Sequence, residues 1–218
     1  MVLACAILEP MTTLIFDLDG TLINTTAAVF PAFRRTLLMF GVHPPNEGVM
    51  AKTFGLPDTE IWRTLMPDSP ESARQEAFRI SEQYVAEELQ RLDVLLPYAK
   101  ETLLKLRNRG YNLTVASNCG TKYLDAVLDS QGLRSLFSHP LCLGSVQGMR
   151  KEDILTVHFQ RWKKRDAVMI GDRSSDFRAA QHHGVDFVGC AFGFADVEEL
   201  AGAKTVIHEL PELLGLFP

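Results

Sequence analysis

Two carboxylates one residue apart close an apolar run in Leu14-Ile15-Phe16-Asp17-Leu18-Asp19-Gly20-Thr21-Leu22. The run suits a buried strand, and the acids come where that strand ends. Acids so placed are costly in an apolar setting and need a cation or other partners. An Asp-Gly turn in a hairpin accounts for Asp19-Gly20 but leaves Asp17 unexplained. Further on, Ser117-Asn118 ends a second apolar run just before a helix start, where free N–H groups suit an anion. Lys151 opens a helix after a connection containing Gly144 and Gly148. Asp172 ends the apolar run Ala167–Ile170, and Asp176 lies four residues beyond it. Taken singly, Ser117 reads equally as a helix cap, Lys151 as a solvated lysine, and Asp172 and Asp176 as turn and cap residues. Four acids, a hydroxyl and a lysine, all at strand or helix ends, are hard to assign to capping alone.

The elements that must position these groups follow from periodicity. After the first strand the pattern turns helical, with Thr25 or Thr26 as a cap and Gly41 as a stop. Pro31 conflicts with that helix and predicts either a kink or a later start. Asp58 can cap a short helix carrying Ile61, Trp62 and Leu65. Ser69-Pro70-Glu71 reads as a cap followed by proline at the first helical position, opening a helix to about Leu92. Residues 25–92 thus contain helix and no strand candidate. From Pro97 the period alternates. Strands are expected at Asn112–Ser117, Leu141–Gly144, Ala167–Ile170, Phe187–Cys190 and Val206-Ile207, with helices between them. Such alternation means right-handed crossovers onto a parallel sheet. The expected fold is an α/β, doubly wound, Rossmann-like core with an inserted all-helical cap. Its parts are an N-terminal extension (1–10), core (11–24), cap (25–92) and core again (93–218). In an open sheet of this kind, ligands sit beyond the carboxyl ends of the strands, where the charged residues collect.

The chain's 218 residues allow a sizeable core plus an insertion. A formal net charge of −5 offers no footprint for nucleic acid or an acidic membrane. The one dense basic run, Lys163-Lys164-Arg165, reads as a solvated loop. Cys5, Cys119, Cys142 and Cys190 show no paired spacing, so reduced thiols and a cytoplasmic location are expected. The apolar start, Met1–Pro10, lacks a basic leader and is read as neither a signal peptide nor a membrane span.

In order, Asp17/Asp19/Thr21, Ser117, Lys151 and Gly171-Asp172 with Asp176 resemble the four motifs of the haloacid dehalogenase superfamily of aspartate-nucleophile phosphatases. The stretch Gly171–Asp176, with Ala179-Ala180 and Gly184 after it, looks like the phosphoglycolate phosphatase branch. Two positions depart: Glu152 stands where many relatives have proline, and Asn24-Thr25 stands at a hinge that often reads Asp-Ser. The resemblance implies a magnesium-dependent phosphatase of small soluble phosphomonoesters. In it, Asp17 is the nucleophile, Asp19 the acid and base, and Lys151 and Ser117 hold the transferring oxygens. The metal ligands it implies are Asp17, Asp172 and the backbone carbonyl of Asp19, with Asp176 binding the metal directly or orienting one of its waters, and Thr21 and Asn118 join the substrate site. Asp19 argues against carbon–halogen and phosphonate cleavage, whose family members lack it. A sugar phosphomutase, a pyrophosphatase, a receiver-like phospho-acceptor and a non-catalytic binder are the alternative readings. The implied partner is a small phosphorylated molecule, with no nucleic acid or membrane, and the chain acts as a monomer or homodimer. In the cap, the loop Met50–Gly55 resembles the one that faces the nucleophile in relatives. Its Lys52 reads either as a solvated lysine or as a cation for a second anionic group of the substrate.

Overall fold

The computed structural model describes residues 12–218 apart from positions 55, 57, 195 and 196; the expected N-terminal extension lies outside these residues. The first strand, β1 (Thr13–Phe16), is buried along its whole length and is followed by four helices. These are α1 (Thr26–Met39), α2 (Glu47–Ala51), α3 (Asp58–Leu65) and α4 (Glu71–Arg91). Next come α5 (Ala99–Asn108), β2 (Asn112–Ser117), α6 (Thr121–Ser130), β3 (Leu141–Cys142), α7 (Leu143–Val146) and α8 (Lys151–Arg161). The chain ends with β4 (Ala167–Gly171), α9 (Ser174–His183), β5 (Asp186–Cys190), β6 (Thr205–Ile207) and α10 (Leu213–Leu216).

All six strands are parallel, in the order β3-β2-β1-β4-β5-β6. The order reverses at β1: the chain builds outward to β2 and β3, then returns to set β4 on the other side. Alternation along β1 divides the core between two faces. Leu14 and Phe16 pack with residues of α5, α6 and α10, whereas Ile15 joins Met169 with Ile154 and Leu155 of α8 and Ala179 and Ala180 of α9. A strand covered on both faces has no polar side, which is why β1 reads as a continuous apolar run.

Helices α1 to α4 form an insertion between β1 and β2, as the expectation of no strand in 25–92 implied. Its entry and exit run side by side. The Asn24 N–H donates to the Val94 carbonyl at 2.7 Å and the Leu96 N–H to the Leu22 carbonyl at 2.9 Å. Gln131, just past α6, holds the exit. Its Oε1 accepts the Val94 N–H at 3.0 Å, and its Nε2 donates to the carbonyls of Leu92 (3.1 Å) and Leu89 (3.3 Å).

Several local expectations change. Helix α1 begins at Thr26 and continues through Pro31, whose ring lies on the exposed side. Thr25 does not cap it with its side chain, because its hydroxyl is engaged by Asp19. Ser69 is not the cap of α4: Pro70 takes that place in an extended conformation, with no side-chain cap bond. The strand at 141–144 stops at Cys142, and α7 begins at once. Met50 and Ala51 end α2 rather than lying in a loop, because Met50 is fully buried, and Gly55 falls outside the described residues.

Replacing Gln131 with alanine leaves the Val94 N–H, the Leu92 carbonyl and the Leu89 carbonyl in the last turn of α4 without these partners. Each buried unsatisfied group costs about 1–3 kcal/mol. Gln131→Ala is therefore expected to lower unfolding stability in urea by at least about 1 kcal/mol, and an unchanged midpoint would refute this role.

Candidate active site

Asp17 directly follows β1, Ser117 is the last residue of β2, and Asp172 directly follows β4. These adjacent carboxyl ends flank the topological reversal, where open α/β sheets bind ligands. Beyond β1 the chain folds back tightly, with the N–H groups of Thr21, Leu22 and Ile23 all donating to the Leu18 carbonyl. Gly20 makes this turn at φ +79°, and a Cβ there would overlap the Asp172 carboxylate and the Phe194 ring. Glycine is thus required twice over, by conformation and by space.

Asp17, Asp172 and Asp176 offer carboxylate oxygens that all lie within 4.8 Å of one another. Lys151 enters the cluster from the first turn of α8. Its ammonium donates to Asp17 at 2.8 Å and, at shorter range, to Asp176. Burial pulls the lysine towards neutrality, but Asp17 and Asp176 outweigh it and hold the ammonium well above its usual range. Burial first, then repulsion from Asp17, pushes the carboxyls of Asp172 and Asp176 up from the ordinary aspartate range. Each is also held by donors. Asp172 accepts the Thr21 hydroxyl at 2.8 Å and the Phe194 N–H at 2.7 Å, and Asp176 accepts the Arg173 N–H at 2.9 Å.

Asp19 stands apart from this group. Its Oδ1 accepts the hydroxyls of Thr25 (2.6 Å) and Tyr123 (2.7 Å). Burial raises its pKa to about 6, against the lowering effect of those two hydroxyls. The two acids of one short motif therefore occupy different environments: Asp17 faces a cation, and Asp19 faces neutral donors in a desolvated wall.

Asp17, Asp19, Ser117, Asn118 and Lys151 all line one cavity of about 440 Å³ that extends up into the insertion. Ser117 is buried, and its oxygen accepts the Cys119 N–H at 3.3 Å. Thr21 is fully buried, with its hydroxyl directed at Asp172, so it orients that carboxylate. Lys52 is exposed at the end of α2 and is not among the residues lining the cavity. Three contributors escaped sequence reasoning. Tyr123 reaches Asp19 from 104 positions away, Phe194 supplies a backbone donor to Asp172, and Arg173 spans two parts of the chain. Arg173 donates from Nη1 to the Phe54 carbonyl and from Nε to Glu199, both at 3.2 Å. Its neighbours in Gly171–Asp176 mark a functional turn, but nothing in the sequence says which way its side chain points.

The cluster fits a hard divalent cation. Three buried carboxylates supply oxygen ligands only, as magnesium prefers, and one ammonium leaves two of their negative charges uncompensated. The cradle is close as well, since a Cβ on Gly171 would overlap Asp176 and one on Gly193 would overlap Asp172.

Fold and site together describe an α/β protein with buried aspartates gathered round a lysine at the carboxyl end of its sheet. The family model described as haloacid dehalogenase-like hydrolase matches residues 14–190, and the chain belongs to that family. The phosphoglycolate phosphatase of Vibrio cholerae is 26% identical over 200 residues, which cover 87% of this chain and 88% of its own. The tyrosine-protein kinase PtkA of Mycobacterium tuberculosis is 29% identical over 213 residues, covering 93% of this chain and 72% of its own. A crystal structure described as a predicted phosphoglycolate phosphatase from Haemophilus somnus shares the fold. Its TM-score is 0.87 at 22% identity, over 97% of this chain and 100% of that one. By family and site, the chain is a phosphoric monoester hydrolase. Among the described residues, no helix is long and apolar enough to cross a membrane.

Removal of a group that orients a metal ligand typically weakens metal binding 10–100-fold. Thr21→Val, close in shape but without the hydroxyl, is expected to weaken magnesium binding by at least about tenfold in calorimetric titration. Unchanged affinity would show that Asp172 needs no such support.

Proposed function

We propose that this hydrolase is a magnesium-dependent phosphatase of small soluble phosphomonoesters that works through an aspartyl-phosphate on Asp17. The observation that carries the reading is the separation of the two aspartates. Asp17 is ion-paired to Lys151 at the cavity floor, while Asp19, with its pKa raised to about 6, is held outside the cluster by Thr25 and Tyr123. One is placed to attack, the other to move a proton near neutrality.

In the proposed reaction, Lys151 and Ser117 hold the oxygens of the phosphoryl group over Asp17, with Asn118 beside them. An Asp17 carboxylate oxygen attacks phosphorus in line, the P–O bond to the alcohol breaks, and the leaving oxygen takes the proton of Asp19. Asp19, now ionised, takes a proton from water as that water attacks the same phosphorus. The Asp17–phosphorus bond breaks, phosphate leaves, and both aspartates return to their starting states. Asp17, Asp172 and Asp176, with the Asp19 carbonyl, would hold magnesium, which when bound neutralises the charge that would otherwise repel an anionic substrate.

Residues 25–92 act in this proposal as a cap over a core made of 11–24 and 93–218, with the alcohol part of the substrate between them. Lys52 lies outside the cavity wall, so no contact with a second anionic group is assigned to it. Phosphoglycolate, the substrate named for several relatives, is one candidate of the right size. Cys119, Cys142 and Cys190 are free thiols, in keeping with the cytoplasmic location proposed here.

Asp17→Asn is expected to reduce phosphate release to background with an unchanged circular dichroism spectrum; a variant that still turns over would remove Asp17 as nucleophile. Asp19→Asn keeps the nucleophile but loses proton transfer, a drop of about 10²–10⁴ for alkyl phosphates. Its loss is expected to be smaller for p-nitrophenyl phosphate, whose leaving group needs little protonation; equal losses would count against the acid role. Excess chelator is expected to stop the reaction and magnesium to restore it, whereas full activity in chelator would rule the mechanism out.

A further inference from the structure

We infer that the substrate's alcohol is apolar: an alkyl or arylalkyl phosphomonoester with no second charged group close to the ester. This rests on the phosphatase reading above and narrows its substrate class. The phosphoryl group needs only the floor of the cavity, at Asp17, Ser117 and Lys151, and the rest of the roughly 440 Å³ lies against the helical insertion. That upper wall is formed chiefly by Val29, Phe33, Ile61, Trp62, Phe78 and Val85, from α1, α3 and α4. Phe33 and Trp62 meet edge to face at 5.3 Å between ring centres. Phe54 from the insertion tilts against Phe194 of the core at 4.7 Å and closes the side nearest Asp172. Burying an apolar alcohol against such a wall is favourable, whereas a carboxylate or several hydroxyls would lose water there without replacement partners.

The charges at the wall point the same way. Among the described lining residues, the cations besides Lys151 are Arg79, Lys122 and Arg173. Each is already paired with a carboxylate. Arg79 is bidentate to Glu76 (2.9 and 2.5 Å), Lys122 meets Glu82 at 3.0 Å, and Arg173 meets Glu199 at 3.2 Å. Arg79 and Lys122 are also largely exposed, so neither presents a desolvated positive charge to the interior. Three of the hydroxyls lining the cavity are engaged too: Ser81 donates to the Phe78 carbonyl at 2.8 Å, and Thr25 and Tyr123 both donate to Asp19; Ser175, on α9, belongs to the core side of the cavity rather than to the insertion. Lys151, also paired with carboxylates, is the fully buried cation among the described lining residues, and it sits where the phosphoryl group binds in the proposed reaction.

The test measures kcat/KM for straight-chain primary alkyl phosphates from ethyl to octyl, whose leaving groups have nearly the same basicity, beside 2-phosphoglycolate. All are assayed with magnesium, and p-nitrophenyl phosphate is included as a general phosphatase substrate. Each methylene buried against the wall is expected to raise kcat/KM, by up to about fourfold, until the cavity is filled. Hexyl phosphate should then exceed both ethyl phosphate and 2-phosphoglycolate by roughly tenfold or more. Phe78→Ala is expected to reduce the hexyl-to-ethyl ratio, because it removes wall that only the longer chain reaches. A flat series, or a preference for 2-phosphoglycolate, with phosphate still released, would overturn the apolar assignment and leave the phosphatase reading intact. No release from any substrate, p-nitrophenyl phosphate included, would overturn both. Should Phe78→Ala be insoluble, the wild-type series by itself decides between these outcomes.

Discussion

The site depends on one buried ammonium and the carboxylates gathered round it. Lys151 is almost wholly out of water, yet it pairs with Asp17 and Asp176, and Asp172 completes the group. Isolated buried charges are very unfavourable, and a pair is tolerated only when its remaining hydrogen-bonding positions are filled. Much of the surrounding structure meets that condition. Thr21 and the Phe194 N–H satisfy Asp172, the first turn of α9 presents the Arg173 N–H to Asp176, and glycines 20, 171 and 193 leave room for the carboxylates. Even so, the negative charges outnumber the positive one. The excess is the physical case for a divalent cation, and burial, with repulsion from Asp17, drives Asp172 and Asp176 upward.

The same constraint accounts for the division between Asp17 and Asp19. A fourth ionised carboxylate facing the cluster would add repulsion that Lys151 cannot offset. Asp19 instead turns to the Thr25 and Tyr123 hydroxyls, which accommodate either protonation state better than an ion pair would. Thr25 sits at the entry to the insertion and Tyr123 on α6, so the acid is fixed from both sides of the cavity. Several contacts fasten the insertion to the core. Gln131 ties its exit strand, the Phe54–Phe194 rings meet beside the cluster, and Arg173 donates to the Phe54 carbonyl. Arg173 also follows Asp172 directly, so the placement of the insertion and the geometry of the cluster share one short segment of chain.

Local sequence determined a good deal of this. A strand buried on both faces is largely apolar, so β1, β2 and β4 stand out as runs. Acids at the ends of such runs, taken together with Ser117 and Lys151, exceed what capping accounts for, which marked Asp17, Asp19 and Asp172. Gly110, Gly132 and Gly184 ended helices because each takes a positive φ that other residues rarely adopt. Where side chains compete for the same group, local rules failed. Thr25 is a good cap by type, but its hydroxyl goes to Asp19, and Met50 ends a helix because its side chain is buried in the insertion. What only the tertiary structure decided is which groups converge. Tyr123 and Asp19 are 104 residues apart, Thr21 and Asp172 are 151 apart, and Phe54 and Arg173 are 119 apart. No periodicity or spacing encodes such meetings, because they follow from strand order and from how the insertion lies on the sheet. For the same reason the sequence left Lys52 open between a solvated lysine and a cation for the substrate, while the fold leaves it outside the cavity and turns an aromatic wall inward.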